Sequence, residues 1–368
     1  MPELPPEDPR YLREQLITCL GNKRALLELP AQALRHVQQR LGRQRLACAD
    51  LFSGSGIVAR FLKRSAHTLY ANDLEPYAHC INRCYLSNAT PELLTELRER
   101  HRELLATIAA QPREGFITRL YAPRDEQHPT RHDRVFYTRR NALFLDSARQ
   151  AIATLPEALQ PYFIAPLLSE ASVHTNTAGV FKGFYKGRDG IGRFGGAGGH
   201  ALARICGDIA LPLPLFSRFD SDVHCRCGDA AACAAELPEL DLAYLDPPYN
   251  QHPYGSNYFM LNLLTEYREP RELSAVSGIP RSWNRSVYNR RAEAAPALLA
   301  LAERCPARFV LISYNSEGFV PREELLAGLQ RLGRTELLAQ PYATFRGCRN
   351  LAARAKRVTE YLFILEKH

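Results

Sequence analysis

The chain opens on an acidic, proline-rich leader, "MPELPPEDPRYLREQ". Apolar residues then recur at helical spacing over residues 11–29, interrupted by "LGNKRALL" at 20–27. "RLACADL", residues 45–51, is short and mostly apolar and reads as a buried strand; "FSGSG" follows at 52–56 and "IVARFLKRS" resumes as a helix. A second strand at 68–71 ends on Asn72 and Asp73, and a helix begins near Pro76. Strand, glycine turn, helix, strand and acid, in that order, are the βαβ pattern of a nucleotide-binding sheet. Alternation returns in "VHCRCGDA" (223–230) and "LDLAYLDPPY" (240–249), while "RFVLISYN" (308–315) and "EYLFILEK" (360–367) predict two further strands. Residues 89–221 break this rhythm with polar helical stretches, the basic "RHDRVFYTRRN" and a glycine-rich segment. The pattern predicts an α/β fold whose sheet is split in two parts, residues 11–88 and 222–368, by an inserted, mainly helical module at 89–221.

Composition narrows the class. A chain of 368 residues, 46% hydrophobic and 23% charged, has the make-up of a soluble globular protein of one large or two modest domains. No apolar run approaches the roughly 20 residues of a membrane helix, and the leader is the reverse of a secretory signal. Ten cysteines without a repeating framework suit reduced thiols in a cytoplasm. "CRCGDAAAC" has no C-x-x-C pair, so no metal is expected there.

The net charge of +8 is concentrated. "RGCRNLAARAKR" (346–357) carries five basic residues and no acid, and "RSWNRSVYNRR" (281–291) is a second cluster. In "FKGFYKGRDGIGRFGGAGGHALAR" (181–204) basic residues alternate with aromatics and glycines, so backbone can approach phosphates and bases can find stacking faces. Together the three runs point to a polyanionic partner.

Three local constellations carry chemistry. In "DLFSGSG" glycines alternate directly after a strand, exposing backbone N–H groups to a ligand. Ala59 stands where a dinucleotide fingerprint has its third glycine or alanine, so a dinucleotide stays open. Asp73, at the end of the second strand, suits the hydroxyls of a ribose. In "LAYLDPPYNQHPYGSNYF" (242–259) Asp246, Pro247, Pro248 and Tyr249 leave the end of a buried strand, where open α/β sheets bind ligands. The paired prolines remove two donors and hold the chain extended, so the carbonyls of Asp246 and Pro247 face outward. A carboxylate, a fixed carbonyl and a flat tyrosine face make a clamp for a planar amine, with Tyr258 or Phe259 expected in the same pocket.

"FSGSG" followed far downstream by "DPPY" resembles the Dam-like (alpha-type) class of S-adenosylmethionine-dependent DNA adenine-N6 methyltransferases. "LGNKRALL", the "GD" of Gly228 and Asp229, "YGSNYFMLNLL", "SYNSEGFV" and "EYLFILEK" resemble further segments of that class in its order, over nearly the whole chain. Cys19 departs, standing where the class tends to have an aromatic.

The resemblance implies a Rossmann-like methyltransferase sheet with helices on both faces, and target recognition in the inserted module. Phe52, Ser53, Gly54, Ser55 and Gly56 would wrap S-adenosylmethionine, Asp73 would hold its ribose, Asp229 would approach its adenine, and Lys23 its carboxylate end, with Asp246 alongside. Asp246, Pro247, Pro248 and Tyr249 would bind the target adenine, flipped out of duplex DNA. Lys182, Lys186, Arg188, Arg193, Arg346, Arg349 and Arg354 are the DNA-contact candidates. The implied setting is a bacterial cytoplasm, with a cognate restriction endonuclease as partner. Adenine in RNA, and a non-catalytic DNA-binding protein on the same fold, are the alternatives. A glutamine acceptor is disfavoured because such enzymes prefer asparagine where Asp246 stands.

Overall fold

The computed structural model of the protein describes residues 4–18, 23–196, 198–343 and 357–368. A 3-10 helix, Lys23–Leu26, leads into α1 (Glu28–Leu41), β1 (Leu46–Asp50), α2 (Ile57–Lys63), β2 (Ala66–Asp73) and α3 (Pro76–Tyr85). Five helices then follow without a strand: α4 (Pro91–Ala110), α5 (Phe116–Tyr121), α6 (Arg139–Ile152), α7 (Pro161–Val173) and α8 (Leu202–Cys206). The chain returns through β3 (Asp222–Cys227), α9 (Ala230–Ala235), β4 (Leu240–Leu245), α10 (Tyr254–Asn257) and α11 (Phe259–Glu266). It closes with α12 (Arg291–Arg304), β5 (Ala307–Asn315), α13 (Arg322–Gln330), β6 (Gly333–Ala343) and β7 (Arg357–Lys367).

The strands form one sheet in the order β3-β2-β1-β4-β5-β7-β6, with β7 antiparallel to both β5 and β6 and the other pairs parallel. Successive residues face opposite sides, so each face buries its own set. Cys48, Leu242, Tyr244, Phe309, Leu311 and Ile364 pack with α1 and α2 through Leu34, Val37, Val58 and Leu62. Ala49, Leu245, Val310, Ile312 and Phe363 pack with α9, α12 and α13 through Cys233, Leu298, Leu301 and Leu325. The expected α/β sheet with helices on both faces is therefore present.

The insertion has its own core, in which Leu104, Phe136, Leu145, Phe163 and Leu168 meet Tyr77, Ile81 and Tyr85 of α3. Phe259, Met260 and Leu263 of α11 belong to that core as well, so a helix beyond β4 completes the unit begun by α4.

One expectation needs correction, and one strand was not foreseen. Among the described residues of 11–29, the helical spacing yields turns and bends over 11–15, the 3-10 helix and only the start of α1. The reason is Arg60, fully buried in α2, whose guanidinium takes the carbonyls of Tyr11 at 2.9 Å and of Glu14 and Gln15 at 3.1 Å each. Those carbonyls serve a buried cation rather than a helix, and Gln15 adopts a left-handed φ of 52°. The strand β6 escaped the pattern because it is an edge strand, paired only to β7, and carries Pro341 inside it.

Candidate active site at the carboxyl edge of the sheet

The strand order reverses between β1 and β4, and a cleft opens there, beyond their carboxyl ends. Asp50 pairs in register with Tyr244, which brings Asp50 and Asp246 out of the sheet at the same edge. The cleft holds about 930 Å³ free of protein atoms, open solvent at its mouth included.

Its floor is the glycine turn. Gly54 and Gly56 have φ of 50° and 75°, left-handed values that glycine adopts without strain. A Cβ on Gly56 would also lie 3.1 Å from Asn82 Oδ1. The Gly54 N–H donates to Asp73 Oδ2 at 2.8 Å and the Glu75 N–H to Asp73 Oδ1 at 2.9 Å, so the acid at the end of β2 braces the turn. Burial pushes the Asp73 carboxyl up, against these backbone bonds. Asp229 caps α9, accepting from the N–H groups of Ala231 at 3.0 Å and Ala232 at 3.1 Å. The ring of Phe52 stands edge-on to Tyr288, centroids 5.2 Å apart, in the cleft wall.

The opposite side is charged. Lys23, buried, lies 3.1 Å from Asp246 Oδ1 and is bonded to Glu360. Burial opposes the Lys23 charge, yet the Asp246 and Glu360 carboxylates hold it well above the usual lysine range. Burial pushes Asp246 up to about 6, with Lys23 pulling the other way and Glu360 adding to the rise. Asp50 is wholly buried, and burial and then Asp246 push its carboxyl well above the usual range. Its Oδ2 has no hydrogen-bond partner among the described residues. Asp50, Asp73, Glu75, Asp229 and Asp246 all line the cleft, and among the described residues Lys23 is the one lysine or arginine that does. Such a lining suits a ligand that brings positive charge and donors of its own.

Glu75 ties this wall to the rest of the molecule. Its Oε2 accepts from Asn262 Nδ2 at 2.6 Å and from Asn284 Nδ2 at 3.3 Å, and burial pushes its carboxyl up to about 7. A folded carboxyl that keeps its proton to about pH 7, against an ordinary 4.5, makes stability fall as pH rises through that window. Glu75→Gln keeps the neutral shape. In urea unfolding it should flatten that fall and stand on the order of 2 kcal/mol above the wild type at about pH 8. Parallel pH slopes in the two proteins would count against Glu75 as the source.

Of the residues singled out by sequence, Lys23, Phe52, Ser53, Gly54, Ser55, Asp73, Asp229, Asp246 and Pro248 line the cleft. Gly56 sits behind it as the N-cap of α2, and Pro247 is buried. Tyr249 is half-buried with its ring 6.4 Å from Tyr314, edge-on, and is not a lining residue. Tyr258 and Phe259, expected in the pocket, are instead buried in the helical core. The lining position is taken by Tyr254, whose ring stacks on Tyr258 at 5.6 Å. The short α10 turns the chain so that only its first residue faces the cleft. Sequence reasoning passed over Asp50, Glu75, Tyr254, Asn284, Tyr288 and Glu360. For Asp50 and Glu360 the signal was an acid beside or within an apolar strand, the same signal that singled out Asp246.

Lys182, Lys186, Arg188 and Arg193 are exposed on a loop whose two limbs meet at a Lys186–Gly192 bridge. Lys186 lies over the Phe184 ring at 4.8 Å, and Arg193 pairs with Asp189 at 2.7 Å. The Phe181 N–H donates to the carbonyl of Asn257 at 2.7 Å, anchoring the loop to the helix that carries Tyr254. Cys19, Arg346, Arg349 and Arg354 lie outside the described residues. Among those described, no three His, Cys, Asp or Glu side chains are grouped to hold a metal ion, and no helix is long and apolar enough to cross a membrane.

An acid-lined cleft thus lies at the reversal point of an α/β sheet, with "DPPY" leaving one strand and a glycine turn leaving its neighbour. A sequence profile of the D12 class N6 adenine-specific DNA methyltransferases matches residues 20–287, and the chain belongs to that family. It is an adenine-specific DNA methyltransferase. The chain is 29% identical over 329 residues to type II methyltransferase M.NlaIII of Neisseria lactamica, covering 86% of this chain and 90% of that one. It is 27% identical over 325 residues to type II methyltransferase M.CviAII of Paramecium bursaria Chlorella virus 1, covering 86% and 89%. Type II methyltransferase M.FokI of Planomicrobium okeanokoites is 25% identical over 333 residues, covering 86% of this chain and 48% of its own length. The expected adenine chemistry on DNA is thereby established, and the family implies a methyl donor.

Proposed function

We propose that the cleft binds S-adenosylmethionine together with an adenine swung out of duplex DNA, and that Asp246 and the prolines after it present the adenine amine for methylation. The observation that carries this reading is the unpartnered Asp50 oxygen, buried in a wall of five carboxyls beside Asp246. S-adenosylmethionine brings a sulfonium, an ammonium and ribose hydroxyls, the cations and donors such a wall lacks. Phe52, Ser53, Gly54, Ser55 and Gly56 would wrap it, Asp73 would hold the ribose, and Asp229 would stand near its adenine. Among the described residues Lys23 meets Asp246 and Glu360, and an ammonium has three N–H donors, so a third would serve the carboxylate end. When bound, the donor supplies a methyl group already activated by the sulfonium, so the chain needs no nucleophile of its own.

The work left to the protein is orientation. The exocyclic amine of adenine is a poor nucleophile because its lone pair is delocalised into the ring. A hydrogen bond to the Asp246 carboxylate, with a second to the Pro247 carbonyl, favours a more tetrahedral nitrogen and aims its lone pair. The prolines hold the Pro247 carbonyl in place, and Lys23 holds the Asp246 carboxylate. Swinging the base out of the duplex costs about a few kcal/mol, and stacking on Tyr249 or Tyr254 offsets part of it, at about 1–3 kcal/mol per base.

The module at 89–221 would read the target, with Lys182, Lys186, Arg188 and Arg193 on phosphates. Arg346, Arg349 and Arg354 are proposed for the same task on their sequence alone. We place the enzyme in a bacterial cytoplasm, with a restriction endonuclease of matching specificity as its partner. The test is to sequence DNA from cells expressing the chain and map N6-methyladenine, beside tritium-methyl transfer to duplex DNA and to RNA. One short motif modified at nearly every copy is expected; scattered modification, or transfer to RNA as fast as to duplex DNA, would defeat the proposal.

A further inference from the structure

We propose that Glu360 is a positioning residue for methylation: it takes one side of the Lys23 ammonium, so that Lys23 steadies Asp246 without neutralising it. This rests on the proposed role of Asp246.

Glu360 is 3% exposed on β7, between β5 and the edge strand β6, in register with Asn315 at the end of β5. Two of its three donors, Ser313 and Asn315, lie outside the cleft lining, and the third is Lys23. Oε1 accepts from Ser313 Oγ at 2.9 Å and from Lys23 Nζ, and Oε2 accepts from Asn315 Nδ2 at 3.1 Å. Lys23 in turn reaches Asp246 Oδ1 at 3.1 Å. A buried carboxylate held by three donors on one side of a lysine is costly to build, and an apolar strand position would be more stable. Its presence calls for a function.

Charge explains it. Around Asp246 stand Lys23 from the 3-10 helix, Glu360 from β7, Asp50 from the end of β1 and Tyr244 from β4. Burial pushes the Asp50 carboxyl and the Tyr244 phenol upward, so both favour the neutral form. The charged remainder is Asp246, Lys23 and Glu360, with a net charge of −1. Without Glu360 the remainder is a neutral Lys23–Asp246 pair, and the amine must compete with Lys23 for a compensated carboxylate. With Glu360 the group keeps one negative charge facing an amine that gains positive charge as it is methylated.

The test is Glu360→Gln, which keeps size and hydrogen-bonding reach but removes the charge, assayed with a synthetic duplex carrying the mapped motif. We expect kcat at about pH 8 to fall about tenfold, while donor Kd and the DNA KM move less than about threefold. We also expect the acid limb of the kcat profile to shift to lower pH, because Glu360 no longer raises Asp246. A role confined to folding would not move that limb. Unchanged kcat, or a limb that stays or moves up, would overturn the proposal. So would a lost donor affinity with kcat retained. Ser313→Ala leaves every charge in place and loosens Glu360, so it serves if the first variant does not fold. We expect it to lower kcat about threefold without moving the limb, and an unaltered kcat would overturn the proposal. Wild-type transfer to the motif, lost on Asp246→Ala, is the control that separates failure here from failure of the functional reading.

Discussion

Asp246→Ala should lower methyl transfer to duplex DNA at least about a thousandfold while leaving donor binding within reach of calorimetry. In the proposed arrangement the carboxylate meets the amine, and neither the prolines nor Lys23 offers a substitute acceptor of like charge. The fold should tolerate the change, because Lys23 keeps its bond to Glu360 when Asp246 is gone. The glycine turn, Asp73 and Asp229, proposed to hold the donor, are untouched by the substitution. In the wild type the same carboxyl should set the acid limb of kcat, since it lies at about 6 and loses its charge below that. Full activity in Asp246→Ala would remove this residue from the chemistry, and with it the account of the cleft.

Lys23→Met is expected to have the largest effect on stability, a loss of about 3–5 kcal/mol in denaturant unfolding at about pH 8. The substitution leaves Asp246 and Glu360 without the ammonium that lies between them, both largely withdrawn from water. Breaking a buried pair is costly because the remaining charges are uncompensated, whereas removing two partners together is milder. Lys23→Met combined with Glu360→Gln should therefore recover part of the loss, a coupling that a double-mutant cycle reads directly. The deficit should also shrink as pH falls. With Lys23 gone, the Asp246 carboxyl binds its proton at still higher pH in the folded state than in the unfolded chain, and stability lost on the alkaline side returns as it protonates. Additive effects at constant pH sensitivity would mean that the three groups do not act as one unit.

The elements that sequence reached are those whose signals are local. β1, β2, β4 and β5 announce themselves as short apolar runs because both of their faces are covered by helices. The turn at Gly54 and Gly56 is written in residues that adopt its backbone without strain. Asp246, Pro247 and Pro248 carry their rigidity in the covalent ring of proline. The helical module was visible as a loss of period-two pattern, but not that α11 completes its core, since an apolar stripe does not say which neighbour it meets.

Tertiary structure decided what converges. Arg60 draws the carbonyls of residues 11–15 out of a helix that their spacing favours, a choice made by a buried cation and not by the leader. Lys23 and Glu360 lie 337 positions apart, and nothing in either neighbourhood names the other. They meet because β7 inserts between β5 and β6, so strand order brings a carboxylate to an ammonium at the edge where β4 ends. Period, turn and proline chemistry act within a few residues and can be read along the chain. Electrostatic pairing acts through space, and only the folded arrangement of strands determines which charges share a site.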